Sequence, residues 1–164
     1  MKRSLRFLLL SFPAFLCMAV IFHLSAQTAA VSDSTSAGFI DWALTAFFAK
    51  FKYLSEAAQA QAVASCQFIV RKAAHFSLYA LLGILWYAPM YSWTNGAKKS
   101  ACLSWMATAL YAVSDEIHQK FVPGRSGELR DVLIDSAGAA VGILLVYVIV
   151  KIILRKRTTN KKMP

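Results

Sequence analysis

Charge is what this sequence has least of. Asp, Glu, Lys and Arg supply 16% of its 164 residues, against 58% that are hydrophobic, and the mean hydropathy is +0.51. An ordinary soluble domain is excluded by that imbalance, and a small polytopic membrane protein fits it. Cysteine is also scarce. Three cannot all pair; Cys17 and Cys102 sit inside apolar runs and Cys66 in a connecting segment, which excludes a disulfide framework. There is no Cys-x-x-Cys pair, no paired His spacing, no internal repeat and no Gly-rich phosphate loop, so no structural zinc or other cofactor is implied, and Asp115, Glu116, His118 and Asp135 are the one set that offers metal ligands.

Acidic residues are the rarer charge, eight against 18 basic ones, for a net charge of +10. In a soluble chain such a balance points to nucleic acid. Here Lys and Arg gather at the ends of apolar runs, where they orient a membrane protein, so the partner is the lipid bilayer and not a nucleic acid.

Lys2, Arg3 and Arg6 precede an apolar run from Phe7 to Leu24 that is long enough to cross most of a ~30 Å hydrocarbon core, with Pro13 tolerated as a kink. The small residues from Ser25 to Ala30 also allow a cleaved signal peptide. Val31 to Ser36 reads as an exposed connection. Phe39, Ile40, Leu44, Phe47, Phe48 and Phe51 then recur at helical spacing in an interfacial amphipathic helix, and a further helix is expected over 56–70. Arg71 and Lys72 open a second spanning helix, Ala73 to about Trp93. The turn at Asn95-Gly96 leads to a third from about Ser100 to Gln119, and a fourth covers Asp131 to Leu154. The predicted fold is an all-α bundle of about four transmembrane helices in one domain, 1–155, with a basic disordered tail over 156–164.

With the N-terminus inside, the inner segments hold 11 of the 18 basic residues and none of the eight acidic ones. The positive-inside rule then puts both termini in the cytoplasm and the acidic positions outside.

Those acidic positions cluster. Ser114-Asp115-Glu116-Ile117-His118-Gln119 closes the third helix before a Pro123-Gly124 turn and Arg125. Carboxylates there are costly unless paired, hydrated or used. On the second helix Lys72, His75 and Tyr79 share one face, continued by Gly83. On the third, Ser104, Thr108, Tyr111, Asp115 and His118 form a stripe, with Glu116 about 100° away from it. On the fourth, Asp131, Asp135, Gly138 and Gly142 form a face that is acidic at one end and small below. A structural reading has Lys72 or Arg71 neutralising Asp115 or Asp135. A functional one has Arg71, Lys72 and Arg125 binding an anion, His118, His75, Asp115 and Glu116 moving protons, and Tyr79, Gln119, Asp131 and Asp135 lining the pocket. Either reading expects at least two of Lys72, Asp115 and Asp135 within about 4 Å of each other.

Arg71-Lys72-x-x-His75-Phe76-x-x-Tyr79, then Ser114-Asp115-Glu116-x-His118-Gln119-x-Phe121-x-Pro123-x-Arg125, then Asp131-x-x-x-Asp135-x-x-Gly138, closely resembles the VanZ-like membrane family over about Phe22 to Leu145. The family is named for a protein associated with resistance to the glycopeptide teicoplanin. The resemblance implies an envelope location and no particular reaction. Two functions fit it: a protein that binds a cell-wall or lipid-linked envelope component and alters antibiotic access, and a membrane-embedded hydrolase or transferase acting on a phosphate-bearing amphiphile.

Overall fold

The computed structural model describes residues 2–160, with side chains through 155. Five α-helices follow one another: α1 (Arg3–Ser25), α2 (Ala29–Phe47), α3 (Glu56–Thr94), α4 (Ala97–Gln119) and α5 (Leu129–Asn160), with a short 3-10 turn at Phe51–Tyr53 between α2 and α3. No strand occurs among the described residues. By length and composition α1, α3 and α5 are able to cross a membrane. Their flanks expose Leu8, Leu9, Phe12, Leu144 and Ile149, a surface suited to lipid and costly in water. α4 matches α1 in length at 23 residues, but Lys98, Lys99, Asp115 and Glu116 make it less apolar.

Three boundaries differ from the sequence expectation. The connection at Val31 to Ser36 is helical, because Thr28 caps α2 by accepting from the Val31 amide at 3.5 Å. The hydroxyls of Ser34 and Thr35 then donate back to the Val31 carbonyl, and that of Ser36 to Asp33. Polar side chains that would favour a turn are absorbed by the helix they sit in. The two helices expected over 56–70 and 73–93 are one helix of 39 residues. Ser55 caps its start, Asn95 ends it in the left-handed region at φ 52°, and Arg71 and Lys72 lie within it without a break. Finally, α5 is helical through Asn160, beyond the expected end at Leu154; the last four residues of the expected tail lie outside the described residues.

α3 packs against every other helix. Its contact with α5 is backbone on backbone, as the small face of α5 requires. A Cβ on Gly138 would lie 2.2 Å from the Phe76 carbonyl oxygen, and one on Gly142 would lie 2.2 Å from that of Ala80. Gly83 gives the reciprocal clearance on α3, where a Cβ would meet the Ala139 carbonyl oxygen at 2.9 Å. Small residues let helices in lipid gain dispersion contacts where no hydrophobic drive separates helix from solvent. α1 runs antiparallel to α3, fixed by Phe7 on Trp93 and Phe15 on Trp86 at ring separations of 5.6 and 5.5 Å. Ala14, Cys17 and Ile21 are buried with Tyr79, Leu82 and Ala112. α1 is thus part of the core.

Gly142→Val forces backbone apart at the α3–α5 contact, so overpacking of at least about 1–3 kcal/mol is expected. The measurement is the thermal midpoint of the detergent-solubilised protein. Ala60→Val on the exposed side of α3 is the control and should shift it little.

Candidate functional site

The polar residues that the sequence scatters over three helices converge at one end of the bundle, where α1 and α4 end, α5 begins, and Arg71, Lys72 and His75 fall midway along α3. Asp115 and Glu116 are neighbours on α4 and both are buried. The Ser25 hydroxyl at the end of α1 donates to Asp115 Oδ2 at 2.8 Å, and Gln119 Nε2 donates to the same oxygen at 3.1 Å. Gln119 Nε2 also reaches Glu116 Oε1 at 3.2 Å, while the Glu128 amide donates to Glu116 Oε2 at 2.9 Å. Glu116 therefore faces the α4–α5 loop, 100° from Asp115 as helical geometry demands, and is still enclosed. The loop itself turns at Gly124, whose φ of +76° favours glycine and whose Cβ position meets Ala29 at 3.0 Å.

Arg125 locks this arrangement. Its Nε donates to the Gln27 carbonyl at 2.8 Å, Nη2 to the Leu24 carbonyl at 3.2 Å and Nη1 to Gln119 Oε1 at 3.2 Å. One guanidinium thus caps the C-terminus of α1, where carbonyls lack helical partners, and orients the amide that serves both acids. Burial, followed by the nearby charge of Arg71, pulls its pKa below the usual guanidinium value, opposed by Asp115, Asp33 and Glu116. It remains a cation at neutral pH.

The pairing of cations and acids differs from the expectation. Neither Lys72 nor Arg71 neutralises Asp115 or Asp135. Lys72 is bound to Asp131 and Arg71 to Asp33. Among Lys72, Asp115 and Asp135 no ion pair forms. The reason is height along the helices: Asp131 precedes Asp135 by one turn of α5 and so meets Lys72, leaving Asp135 level with His75. Asp135 is fully buried, with His75 Nδ1 3.8 Å from its Oδ2. Neither Asp135 oxygen, nor Asp115 Oδ1, nor the Tyr79 hydroxyl has a hydrogen-bond partner. Tyr111 instead donates to the Met18 carbonyl at 2.7 Å. His118 is not joined to either acid of its own motif. Its ring stacks on Phe22 at 4.5 Å and its buried Nδ1 has no partner. Among the described residues no group of three or more His, Cys, Asp or Glu is placed to hold a metal ion.

The site also takes in Asp33, Ser25, Gln27 and Glu128, none of which the sequence marks as a site residue. Ser25 and Gln27 lie in Phe22-His23-Leu24-Ser25-Ala26-Gln27, which resembles the end of the VanZ-like family's first helix, and Asp33 is an acid in a Ser/Thr stretch whose partner Arg71 is 38 positions away.

Two cavities open on this assembly. One, of about 350 Å³, is walled mainly by Ile21, Leu24, Phe39, Val70 and Leu78, with His75, Ser25 and Ser36 on its polar side. The other, of about 270 Å³, is lined by Asp33, Lys72, Gln119, Glu128 and Asp131. Arg71 and Arg125 border both. A hydrophobic chamber and a charged chamber thus meet at two guanidinium groups.

Arg125→Lys keeps the charge and loses the fork that reaches three acceptors. A loss of about 1.5–3 kcal/mol is expected, because these are hydrogen bonds from a charged group, read as a lower thermal midpoint in detergent. An unchanged midpoint would show that the guanidinium does not hold α1 in place.

No curated protein and no solved structure matches the chain. The model of the VanZ/LLP1 family, however, matches residues 10–151, a stretch that includes all three converging motifs and the two arginines between the chambers. The chain belongs to the VanZ/LLP1 family.

Proposed function

We propose that this protein is a multi-pass component of the bacterial plasma membrane that binds an anionic or lipid-linked envelope amphiphile at its outer face and thereby influences glycopeptide resistance. The single observation that carries the reading is the pair of chambers meeting at Arg71 and Arg125. An amphiphile has the same two-part character. Its chain suits the wall of Leu24, Phe39 and Leu78, and its anionic group suits the two guanidinium groups, which bind phosphate and carboxylate through planar forks. In this reading α4 spans together with α1, α3 and α5, and the split of basic and acidic residues supports cytoplasmic termini and an outward Asp115.

The probe is dodecyl phosphate, titrated into the protein in a neutral detergent and followed by calorimetry. Saturable binding is expected. Arg71→Gln should weaken it by about tenfold or more, the effect of losing one charge-assisted hydrogen bond, while leaving the thermal midpoint within a few degrees. Equal affinity in the variant and the parent would end the proposal. For orientation, a cysteine at Ser126 in a chain without native cysteines should react with an impermeant thiol reagent in intact cells, and one at Lys98 should not. The reverse pattern would place the two chambers on the cytoplasmic side.

A second reading, hydrolysis or transfer on a phosphate-bearing amphiphile, is favoured by one observation: His75 lines the apolar chamber and has buried Asp135 at its Nδ1. An imidazole oriented by a carboxylate is a general base, a role that contributes about 10²–10⁴ in rate. His75→Gln should then abolish phosphate release from an alkyl phosphate ester and keep dodecyl phosphate binding. Absence of any phosphate release by the parent protein would leave the binding reading alone.

A further inference from the structure

The end of the bundle opposite the two chambers carries cations and no acid. Here Phe7 meets Trp93, α3 ends and α4 begins. None of the eight acids falls in α1, in α3 after Glu56, in α4 before Asp115 or in α5 after Asp135. Lys98 and Lys99 in the first turn of α4 and Lys151 on α5 are exposed, and among the described residues none of the three joins an ion pair. Gly96 gives α4 no side-chain cap, so the positive end of the helix dipole adds to the same field.

Between these cations α4 and α5 part. The two helices run antiparallel: the Glu128 amide meets Glu116 near one end of the pair, and further along Trp105 Nε1 donates to the Ser136 carbonyl at 3.1 Å. The indole lies across the pair at that level. One turn on, Ala101 comes level with Ala140, and two methyl groups leave open the space that an indole spans. The result is an almost wholly apolar groove of about 400 Å³, with Trp105 at its inner end, Leu144 along its wall, and Lys98 and Tyr147 toward the basic end. From Trp105 to Lys98 it runs about 10 Å at ~1.5 Å per residue. Lys151 reaches back toward the same end, its Nζ 5.5 Å from the Tyr147 ring centre.

What fills the groove follows from this lining. Water finds too few polar partners in it, and an empty crevice forfeits dispersion contacts along its walls. A second copy seated there by two-fold symmetry would set the lysine-bearing end of one chain against that of the other. A zwitterionic lipid brings its own cation to an end that already has cations in excess. An anionic phospholipid supplies what both parts lack, hydrocarbon for the groove and uncompensated negative charge for lysines that reach out from an apolar wall.

We propose that the groove between the start of α4 and the second half of α5 binds an anionic phospholipid, one acyl chain lying between Ala101 and Ala140 and the phosphate held by Lys98 and Lys151. The site is separate from the two chambers and does not depend on what they bind. With the orientation proposed above it opens to the cytoplasmic leaflet.

The test reconstitutes the full chain in phosphatidylcholine vesicles carrying a rising fraction of lipid brominated in mid-chain, with Trp42→Phe, Trp86→Phe and Trp93→Phe leaving Trp105 as the only indole. Quenching of Trp105 is the readout. Brominated phosphatidylglycerol should quench half-maximally at about one-tenth the fraction that brominated phosphatidylcholine needs, and salt should narrow the difference. Lys98→Gln with Lys151→Gln should remove the preference, at about fivefold per lysine. Lys99→Gln deletes the same charge beside the groove and should change it less than about twofold. Ala140→Phe fills the groove from an exposed position and should bring the two lipids to equal quenching. Thermal midpoints within a few degrees of the parent verify that each variant folds. Equal quenching in the parent, or a preference that survives the lysine pair or Ala140→Phe, overturns the proposal. So does a preference lost in Arg71→Gln, which would place the lipid in the chambers at the other end. A parent without preference whose oligomeric size changes in Ala140→Phe would assign the groove to a second copy and overturn it equally. An independent readout leaves every tryptophan in place: the chain extracted by neutral detergent from equimolar phosphatidylcholine and phosphatidylglycerol vesicles should retain more phosphatidylglycerol by mass spectrometry, and Lys98→Gln with Lys151→Gln should retain the two equally. Equal retention by the unsubstituted chain would count against the site as firmly as equal quenching.

Discussion

The backbone contact between α3 and α5 is the constraint on which the rest depends. In lipid, helices do not gain by hiding apolar side chains from their surroundings, so association rests on close packing and on polar links between helices. Gly138 and Gly142 let α5 lie directly on the Phe76 and Ala80 carbonyls. That approach fixes the relative height of two parallel helices to within a fraction of a turn. Once the height is fixed, Asp131 arrives at Lys72 and Asp135 at His75, and the charged end of the bundle follows without further choice.

The economy of charge at that end explains its chemistry. Two of the cations there already have an acid: Lys72 has Asp131 and Arg71 has Asp33. The deeper acids are held by neutral donors, Ser25, Gln119 and the Glu128 amide. Burying a carboxylate costs several kcal/mol unless hydrogen bonds replace its water, and Asp115 and Glu116 obtain them from three separate chain segments. Asp135 has no hydrogen-bond partner on either oxygen, and His75 Nδ1 stands 3.8 Å from its Oδ2. Arg125 ties those segments together, so the site and the fold share one residue. A substitution at Arg125 acts on both, whereas Arg71, half-exposed and bordering both chambers, is the better separator of binding from stability.

The first half of α3 shows the same logic at longer range. α3 needs no break at Arg71 and Lys72 because both charges are answered laterally, by α2 and by α5. A helix free of that break carries its register past the end of α1, and α2 returns along it, with Gln67 donating to the Asp33 carbonyl.

Composition and periodicity alone determined the all-α membrane class, the spanning-length apolar runs of α1, α3 and α5 among the four helices expected to span, and the faces on which Tyr79, Gly83, Asp135, Gly138 and Gly142 lie, because lipid sets a minimum length and helical geometry sets which residues share a side. The resemblance of the three motifs to the VanZ-like family was legible for the same reason, as local spacing. What only the tertiary structure decided is which charges meet. Lys72 has three acids of suitable helices within reach of inference, and the choice of Asp131 depends on a shift of one turn set by glycine contacts further along the same face of the helix pair. His118 illustrates the limit most plainly. It stands two residues from Glu116 and three from Asp115, yet its ring turns to Phe22 on α1, because a helix presents successive positions about 100° apart and the neighbour on each side is fixed by packing, not by sequence.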